Sequence, residues 1–222
     1  AVLGLMVNGA QGDDDEAHAG HFALVTGRTR EDGAIGDWLV NNFYTLDSES
    51  EKGILAAPVP LDNYLADLNS GQGWYRPTHM LVAVLAGERA SALVQAALNR
   101  VYNQLWRHQL VYRHATMNCT GISVDVLRTL GWEVPARGPA SRIVAALGFP
   151  YFAVRERSIA KACVGFDYLT ADQTRLMPAA AMEEAGASLL ALVAVDPAPT
   201  AKAGTLARLL AADLHAVAFV RF

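Results

Sequence analysis

A loop passes into a helix in the run Tyr112-Arg113-His114-Ala115-Thr116-Met117-Asn118-Cys119-Thr120-Gly121. Apolar residues recur at helical spacing after it, at Ile122, Val126 and Leu130, and Gly131 ends the pattern. Cys119 therefore stands at the start of a helix. A thiol at that position faces unpaired backbone N–H groups and the positive end of the helix dipole, and both favour the thiolate. The run predicts a cysteine nucleophile.

Composition places the chain among globular proteins with one good core. It has 222 residues, slightly more than half of them apolar, with 18 basic and 22 acidic residues and a formal charge of −4. A net negative chain without a basic cluster excludes nucleic acid as the expected partner. No apolar stretch reaches the ~20 residues that a membrane span needs, so we expect no span. The N-terminal residues lack the basic flank of a signal peptide.

The first half of the chain reads mainly as strands with one long helix. Strands are predicted over residues 1–7, 21–27, 38–46 and 78–85, with a long hairpin turn between the second and third. A loop is expected over 47–60 and a short helix over 61–68. The longest predicted helix runs from Glu88 to about His108, with its apolar residues on one face. These elements predict two adjacent antiparallel strands and a central strand, followed by the helix that leads to the cysteine.

The chain after Trp132 is alanine-rich and mostly helical in pattern. Pro135, Gly138 and Pro139 mark a boundary, and residues 141–147 and 205–212 are the clearest helical segments. Residues 189–195 and 217–222 are predicted as closing strands. Cys163 lies in an apolar context and is predicted to be a core residue.

Two short motifs carry a resemblance to a known superfamily. Gly20-His21-Phe22-Ala23-Leu24-Val25 lies on a predicted strand, and Asn118-Cys119-Thr120 opens a helix far downstream. This order resembles the circularly permuted branch of the papain-like superfamily, which includes NlpC-type amidases and peptidases and lecithin retinol acyltransferase-like proteins. The segment that precedes the cysteine also resembles an uncharacterised bacterial family of that branch. The resemblance covers residues 18–131.

The resemblance implies a fold class and a domain division. The fold would be α+β, with a permuted papain-like core in which an antiparallel sheet packs against the helix that carries the cysteine. Residues 1–134 would form the catalytic core, and residues 135–222 a mainly helical C-terminal extension packed on it. The family also favours the bacterial cell envelope or periplasm as the compartment.

The same resemblance implies catalytic roles. It makes Cys119 the nucleophile and His21 the base, and it requires a third polar residue on the next strand to orient the imidazole. A hairpin turn centred near residues 32–33 places Asn42 opposite His21, with Asn41 and Asp47 as the other candidates. The backbone N–H of Cys119 would serve as one oxyanion donor. Asn118 either supplies a second donor or caps the helix.

The chemistry expected of such a site is acyl transfer through a thioester. A thiol hydrolase would cleave an amide or ester bond in a small peptide, another amide or an acyl lipid, without a cofactor. The alternatives are a lipid or acyl transferase of the same fold, and a non-catalytic binding or structural module. Thiol reactivity separates the enzyme from the module.

Other polar groups carry weaker hypotheses. The acidic run 13–16, with His18 and His21, contains metal-ligand types, but consecutive carboxylates in a loop are more typical of solvated charge, so no metal is expected. His79, His108 and His114 have no partner at an informative spacing. No nucleophile elbow, phosphate loop or dinucleotide fingerprint is present in the sequence.

Overall fold

A computed structural model describes residues 1–9, 20–45, 49–50, 54–69, 77–138, 142–194 and 203–222. Its strands are β1 Val2–Asn8, β2 His21–Gly27, β3 Leu39–Thr45, β4 Glu49–Ser50, β5 Ile54–Pro60, β6 Thr78–Leu85, β7 Tyr112–Arg113 and β8 Leu214–Arg221. Its helices are α1 Leu61–Asn69, α2 Arg89–Trp106, α3 Cys119–Thr129, α4 Arg142–Arg155, α5 Ile159–Thr170, α6 Gln173–Leu176, α7 Pro178–Ala194 and α8 Thr205–Asp213. The fold is α+β.

Six of the strands form one antiparallel sheet, in the order β5-β3-β2-β1-β6-β8. The two short strands β4 and β7 pair separately. β1 lies inside the sheet and is hydrogen-bonded to β2 and β6 along its whole length. This explains its continuous apolar sequence, because both of its faces are covered.

The sheet separates two apolar clusters. We call one side the cysteine face: it carries Leu5 and Leu24 and packs against α2, α3 and α7 in the cluster that contains Cys119. The opposite face carries Met6 and Val25 and packs against α1. Side chains of a strand alternate between the two faces, so the position of a residue along its strand assigns its face.

The antiparallel sheet, the long helix α2 and the cysteine helix α3 agree with the sequence prediction. The loop predicted over residues 47–60 is wrong in two places, because Glu49–Ser50 forms strand β4 and Ile54–Pro60 forms strand β5. Pro58 and Pro60 are compatible with a strand there, since β5 is at the edge of the sheet and needs hydrogen bonds on one side only. The closing strand predicted over residues 189–195 is also wrong, because α7 continues through Ala194.

The C-terminal part of the chain is built into the same sheet. The predicted strand over residues 217–222 is confirmed as part of β8, which pairs antiparallel with β6. Ala185 of α7 and Leu206 of α8 belong to the cluster on the cysteine face. The predicted boundary at residue 134 therefore separates two segments that share one sheet and one apolar cluster.

Cys163 and the helices differ in how they compare with the sequence predictions. Cys163, predicted to be a core residue, is exposed, because it lies on the outward side of α5. Among the described residues, the helices are too short or too polar for a transmembrane segment.

Candidate functional site

Asn118 organises the start of the cysteine helix. Its backbone is extended and its Oδ1 accepts the N–H of Gly121 at 2.8 Å, which makes it the N-cap of α3. Its Nδ2 donates to the carbonyl oxygens of His114 at 2.9 Å and Leu176 at 3.0 Å. Both amide donor positions are thus used by backbone carbonyls. Of the two roles open from the sequence, the structure favours the cap over the oxyanion donor.

Cys119 is the first residue of α3 and only 6% exposed. Its backbone N–H donates to the hydroxyl oxygen of Tyr112 at 3.2 Å. Its Sγ lies 3.8 Å from Oγ1 of Thr120. The thiol therefore sits at a helix N-terminus, as predicted, but below the surface. The backbone N–H that would stabilise an oxyanion is engaged by a tyrosine hydroxyl.

A small cavity of about 20 Å³ adjoins the thiol. Its lining residues are Gly20, Tyr112, His114, Asn118, Cys119, Thr120, Leu176 and Pro178. Such a volume accommodates one water molecule. The imidazole of His114 stands edge-on to the ring of Tyr112, with ring centroids 5.4 Å apart and an interplanar angle of 83°. Cys119, His114 and Tyr112 thus line one cavity.

The local chain fold explains why His114 reaches this cavity. The backbone N–H of Met117 donates to the carbonyl of Arg113 at 2.8 Å, and the N–H of Arg113 donates to the carbonyl of Met117 at 3.1 Å. This tight turn folds residues 113–117 back on themselves just before the helix begins. His114 and Cys119 consequently line the same cavity although five positions separate them in sequence.

An ion pair fixes the outer wall of the same region. The guanidinium of Arg175 forms two hydrogen bonds with the carboxylate of Asp125 in α3, at 2.8 and 2.6 Å. The side chain also reaches the carbonyl of Thr116 at 3.4 Å. α6 is thereby tied to the cysteine helix and to the turn that precedes it. Leu176, the next residue, lines the cavity.

His21, the base in the family resemblance, is the first residue of β2. His21 is buried at the start of β2 and lies directly opposite Asn8 of β1. Cross-strand partners share one face of a sheet. Asn8 bonds to Oγ1 of Thr78 at 3.2 Å and accepts the hydroxyl of Tyr64 at 3.5 Å, and Tyr64 belongs to α1 on the opposite face.

Strand periodicity therefore puts His21 on the opposite face, whereas Cys119 clusters on the cysteine face with Phe22, the next residue of β2. The catalytic role of His21 stays a prediction. Gly20 does line the cysteine cavity, so the chain just before β2 borders the same cavity as Cys119. Its φ of +80° is the left-handed conformation that favours glycine.

The three candidates for the orienting residue have different locations. Asn41 is on the cysteine face, where its Nδ2 donates to Oε1 of Gln95 at 2.9 Å and its Oδ1 accepts the hydroxyl of Tyr102 at 3.0 Å. Asn42, the next residue of β3, is on the opposite face with His21. Its Oδ1 is buried and makes no hydrogen bond to the described residues. Asp47 lies outside the described residues.

Tyr102 anchors the long helix α2 to β3 through this network. Burial raises the pKa of Tyr102 well above its usual range, so its hydroxyl remains a neutral donor to Asn41. Gln95 extends the network to Oγ1 of Thr26 at 2.5 Å. These bonds make Asn41 part of the scaffold between sheet and helix, away from the cavity that contains the thiol.

The metal hypothesis falls mainly outside the described part of the chain. Residues 13–16 and His18 lie in the undescribed segment 10–19. Within the described residues, no group of three or more histidine, cysteine or acidic side chains is arranged to hold a metal ion.

Sequence reasoning missed His114. The available signal was its presence in the same ten-residue run as Cys119, but no general motif pairs these two residues at that spacing. The tight turn at residues 113–117 creates the proximity, and the sequence of that turn contains no glycine or proline to mark it.

Comparisons with protein-family models, with curated proteins and with solved structures find no match for this chain.

Proposed function

We propose that this protein is a thiol hydrolase of permuted papain-like type, in which Cys119 cleaves an amide or ester bond through a thioester. The observation that carries the proposal is the shared cavity of Cys119 and His114 at the N-terminus of α3. A helix N-terminus favours the thiolate, and an adjacent imidazole is the usual base for a cysteine nucleophile. In this proposal His114 takes the role that the resemblance gives to His21.

The proposed reaction proceeds in two halves. The imidazole of His114 accepts the thiol proton, and the sulfur of Cys119 adds to the substrate carbonyl carbon. The tetrahedral intermediate collapses with loss of the amine or alcohol, which takes the proton from the imidazolium, and a thioester remains. Water then gives a proton to the imidazole and adds to the thioester, and the carboxylic acid leaves as the thiol is restored.

Substrate access requires the cavity to open. A volume of about 20 Å³ holds a water molecule but no acyl group. Displacement of Tyr112 would widen the cavity and also release the Cys119 N–H from its 3.2 Å hydrogen bond. The same movement would therefore expose the thiol and supply an oxyanion donor. Peptide amides, other small amides and acyl lipids remain the proposed substrate classes.

Acyl-enzyme formation tests this proposal. The purified chain is treated with p-nitrophenyl butyrate, quenched in acid and digested, and the peptides that contain Cys119 and Cys163 are analysed by mass spectrometry. We expect a butyryl thioester on Cys119 and turnover that is lost in Cys119→Ser. The matched control Cys163→Ser, which changes an exposed thiol, should keep full turnover. Absence of the adduct together with unchanged turnover in Cys119→Ser would refute the proposal.

A non-catalytic binding or structural module is the second candidate. It is favoured by the burial of Cys119, which is only 6% exposed. In that case Cys119 acts as a small apolar residue at the end of a core helix. Alkylation of Cys119 that is slower than that of the exposed Cys163 would support the module. An acyltransferase of the same fold would instead show faster release of the thioester when an amine or alcohol acceptor is added.

A further inference from the structure

Helices α4 and α5 form a hairpin whose inner surfaces pack on each other. The rings of Phe149 and Phe166 meet edge to face, with centroids 6.3 Å apart. Ala145 is the buried residue of α4, and Ala162 is the buried residue of α5. The other side chains of the hairpin are partly or fully exposed. The hairpin therefore presents most of its surface to the surroundings.

The outer side of α4 is a continuous apolar stripe. Its five members are between 57% and 78% exposed: Ile143, Val144, Leu147, Tyr151 and Val154. At 3.6 residues per turn their spacing confines them to an arc of about 100°. Large apolar side chains that are exposed together on one helix face indicate a surface made for an apolar partner. We call this set the α4 stripe.

The charges around the stripe are mostly basic. Arg142 and Arg155 stand at the two ends of α4, and the helix contains no acidic residue. Arg157 follows and is exposed, while Glu156 is paired with Lys161 at 3.3 Å. The hairpin thus carries an excess of positive charge in a chain whose formal charge is −4. An apolar stripe flanked by arginines is complementary to an anionic lipid surface.

We propose that the hairpin docks on the surface of a bilayer that contains anionic phospholipids. The α4 stripe enters the boundary between headgroups and acyl chains, and the arginines bind lipid phosphates. A second copy of the chain is a poorer occupant, because antiparallel pairing of two stripes brings Arg142 of one copy towards Arg155 of the other. No acidic residue of α4 would offset that repulsion.

Vesicle flotation tests this proposal. The full chain is mixed with vesicles of phosphatidylcholine alone or of phosphatidylcholine and phosphatidylglycerol at 3:1, and the bound fraction is measured at low and high salt. We expect at least tenfold tighter binding to the anionic vesicles, weakened by salt. The double variant L147N/V154N should reduce the affinity at least tenfold, and R155Q/R157Q should remove most of the preference for anionic vesicles.

Control variants separate docking from unfolding and from catalysis. Phe219→Asn changes a 64% exposed apolar side chain on β8 and should bind as the native chain does. Cys119→Ser should also bind normally, since docking is independent of the proposed hydrolase. Circular dichroism confirms that each variant is folded. The proposal is overturned if the native chain binds neither vesicle, or if L147N/V154N binds like the native chain. It is also overturned if sedimentation shows that the stripe drives self-association and that vesicles do not compete with it.

Discussion

The side chain of Asn118 makes three hydrogen bonds to backbone groups around the start of the cysteine helix. It accepts one of them and donates two. Asn118→Ala would remove all three and leave the carbonyls of His114 and Leu176 without this donor. We expect the free energy of unfolding to fall by about 2–3 kcal/mol, from the lost cap and the lost bonds to these carbonyls. Urea unfolding followed by circular dichroism measures this change.

Ser158 provides the matched control for that substitution. It caps α5 through a single bond, in which its Oγ accepts the N–H of Lys161 at 3.3 Å. Ser158→Ala should therefore cost only about 1 kcal/mol. Equal losses for the two variants would mean that the two donor bonds of Asn118 contribute nothing to stability.

At the residue scale, the sequence predicts the position of a residue correctly where that position depends only on its neighbours in the chain. Asn118 and Cys119 could be assigned to a helix start because an N-cap preference and helical periodicity act over a few positions. The sequence predicts Asn42 on the strand after His21, and strand periodicity assigns both residues to one face. The proximity of His114 to Cys119 depends on the turn at residues 113–117, which no residue preference in that run announces.

At the element scale, the contact between α2 and β3 makes stability depend on alkaline pH. Burial keeps Tyr102 neutral in the folded protein, while in the unfolded chain the phenol ionises near pH 10. Above that pH the unfolded state loses a proton that the folded state keeps, so stability falls. We expect a decline of about 1.4 kcal/mol per pH unit from this residue.

Tyr102→Phe should remove the part of the loss of stability above pH 10 that comes from this phenol. The variant loses the bond to Asn41, which costs about 1 kcal/mol at pH 8, but Oδ1 of Asn41 still accepts Nε2 of Gln95 at 3.0 Å. Guanidinium unfolding of both proteins at pH 8 and near pH 11 should show the stability difference shrinking or reversing at the higher pH. A difference that is independent of pH would contradict the buried neutral phenol.

Two glycines allow the end of α3 to meet the start of α8. Gly131 has a φ of +85°, and a Cβ there would lie 2.7 Å from Cα of Gly204. The N–H of Leu206 donates to the carbonyl of Leu130 at 2.8 Å across the same contact. Gly131→Ala should therefore cost more than about 3 kcal/mol, from backbone strain and forced separation of the helices.

Gly33→Ala is the control for the backbone strain that an alanine causes at a positive φ. Gly33 also has a positive φ, of +72°, but a Cβ there would meet nothing within 4 Å. Gly33→Ala should cost only about 1–2 kcal/mol. Thermal unfolding of the two variants measures the difference, and similar melting temperatures would mean that the contact between Gly131 and Gly204 is not tightly packed.

The sequence does not predict a strand or helix correctly where the location of the segment in the folded protein decides its secondary structure. β5 contains Pro58 and Pro60, which argue against a strand in general but not at the edge of a sheet. The apolar run at residues 189–194 fits a buried strand or a buried helix equally, because its periodicity is uninformative. Its continuity with the preceding turns of α7 makes it helical.

At the scale of the whole molecule, the sheet determines which polar residues can meet. β2 is buried on both faces, so its sequence lacks the alternation that would tell the two faces apart. His21 could therefore be assigned to a strand, but not to a side of it. The packing of α1 on one face and of α2, α3 and α7 on the other supplies that information.

The alkylation rate of Cys119 as a function of pH tests the proposed pair of thiol and imidazole most directly. The experiment uses iodoacetamide between pH 5 and 9 in a Cys163→Ser background, so that one thiol reacts. An ordinary thiol ionises near pH 8.5, whereas a thiolate paired with an imidazolium reacts well below neutrality. We predict fast labelling at pH 6 that His114→Ala slows at least tenfold and His21→Ala leaves unchanged. Labelling that depends on His21 instead, or that follows an ordinary thiol in every variant, would contradict the assignment of Cys119 and His114 as the reactive pair.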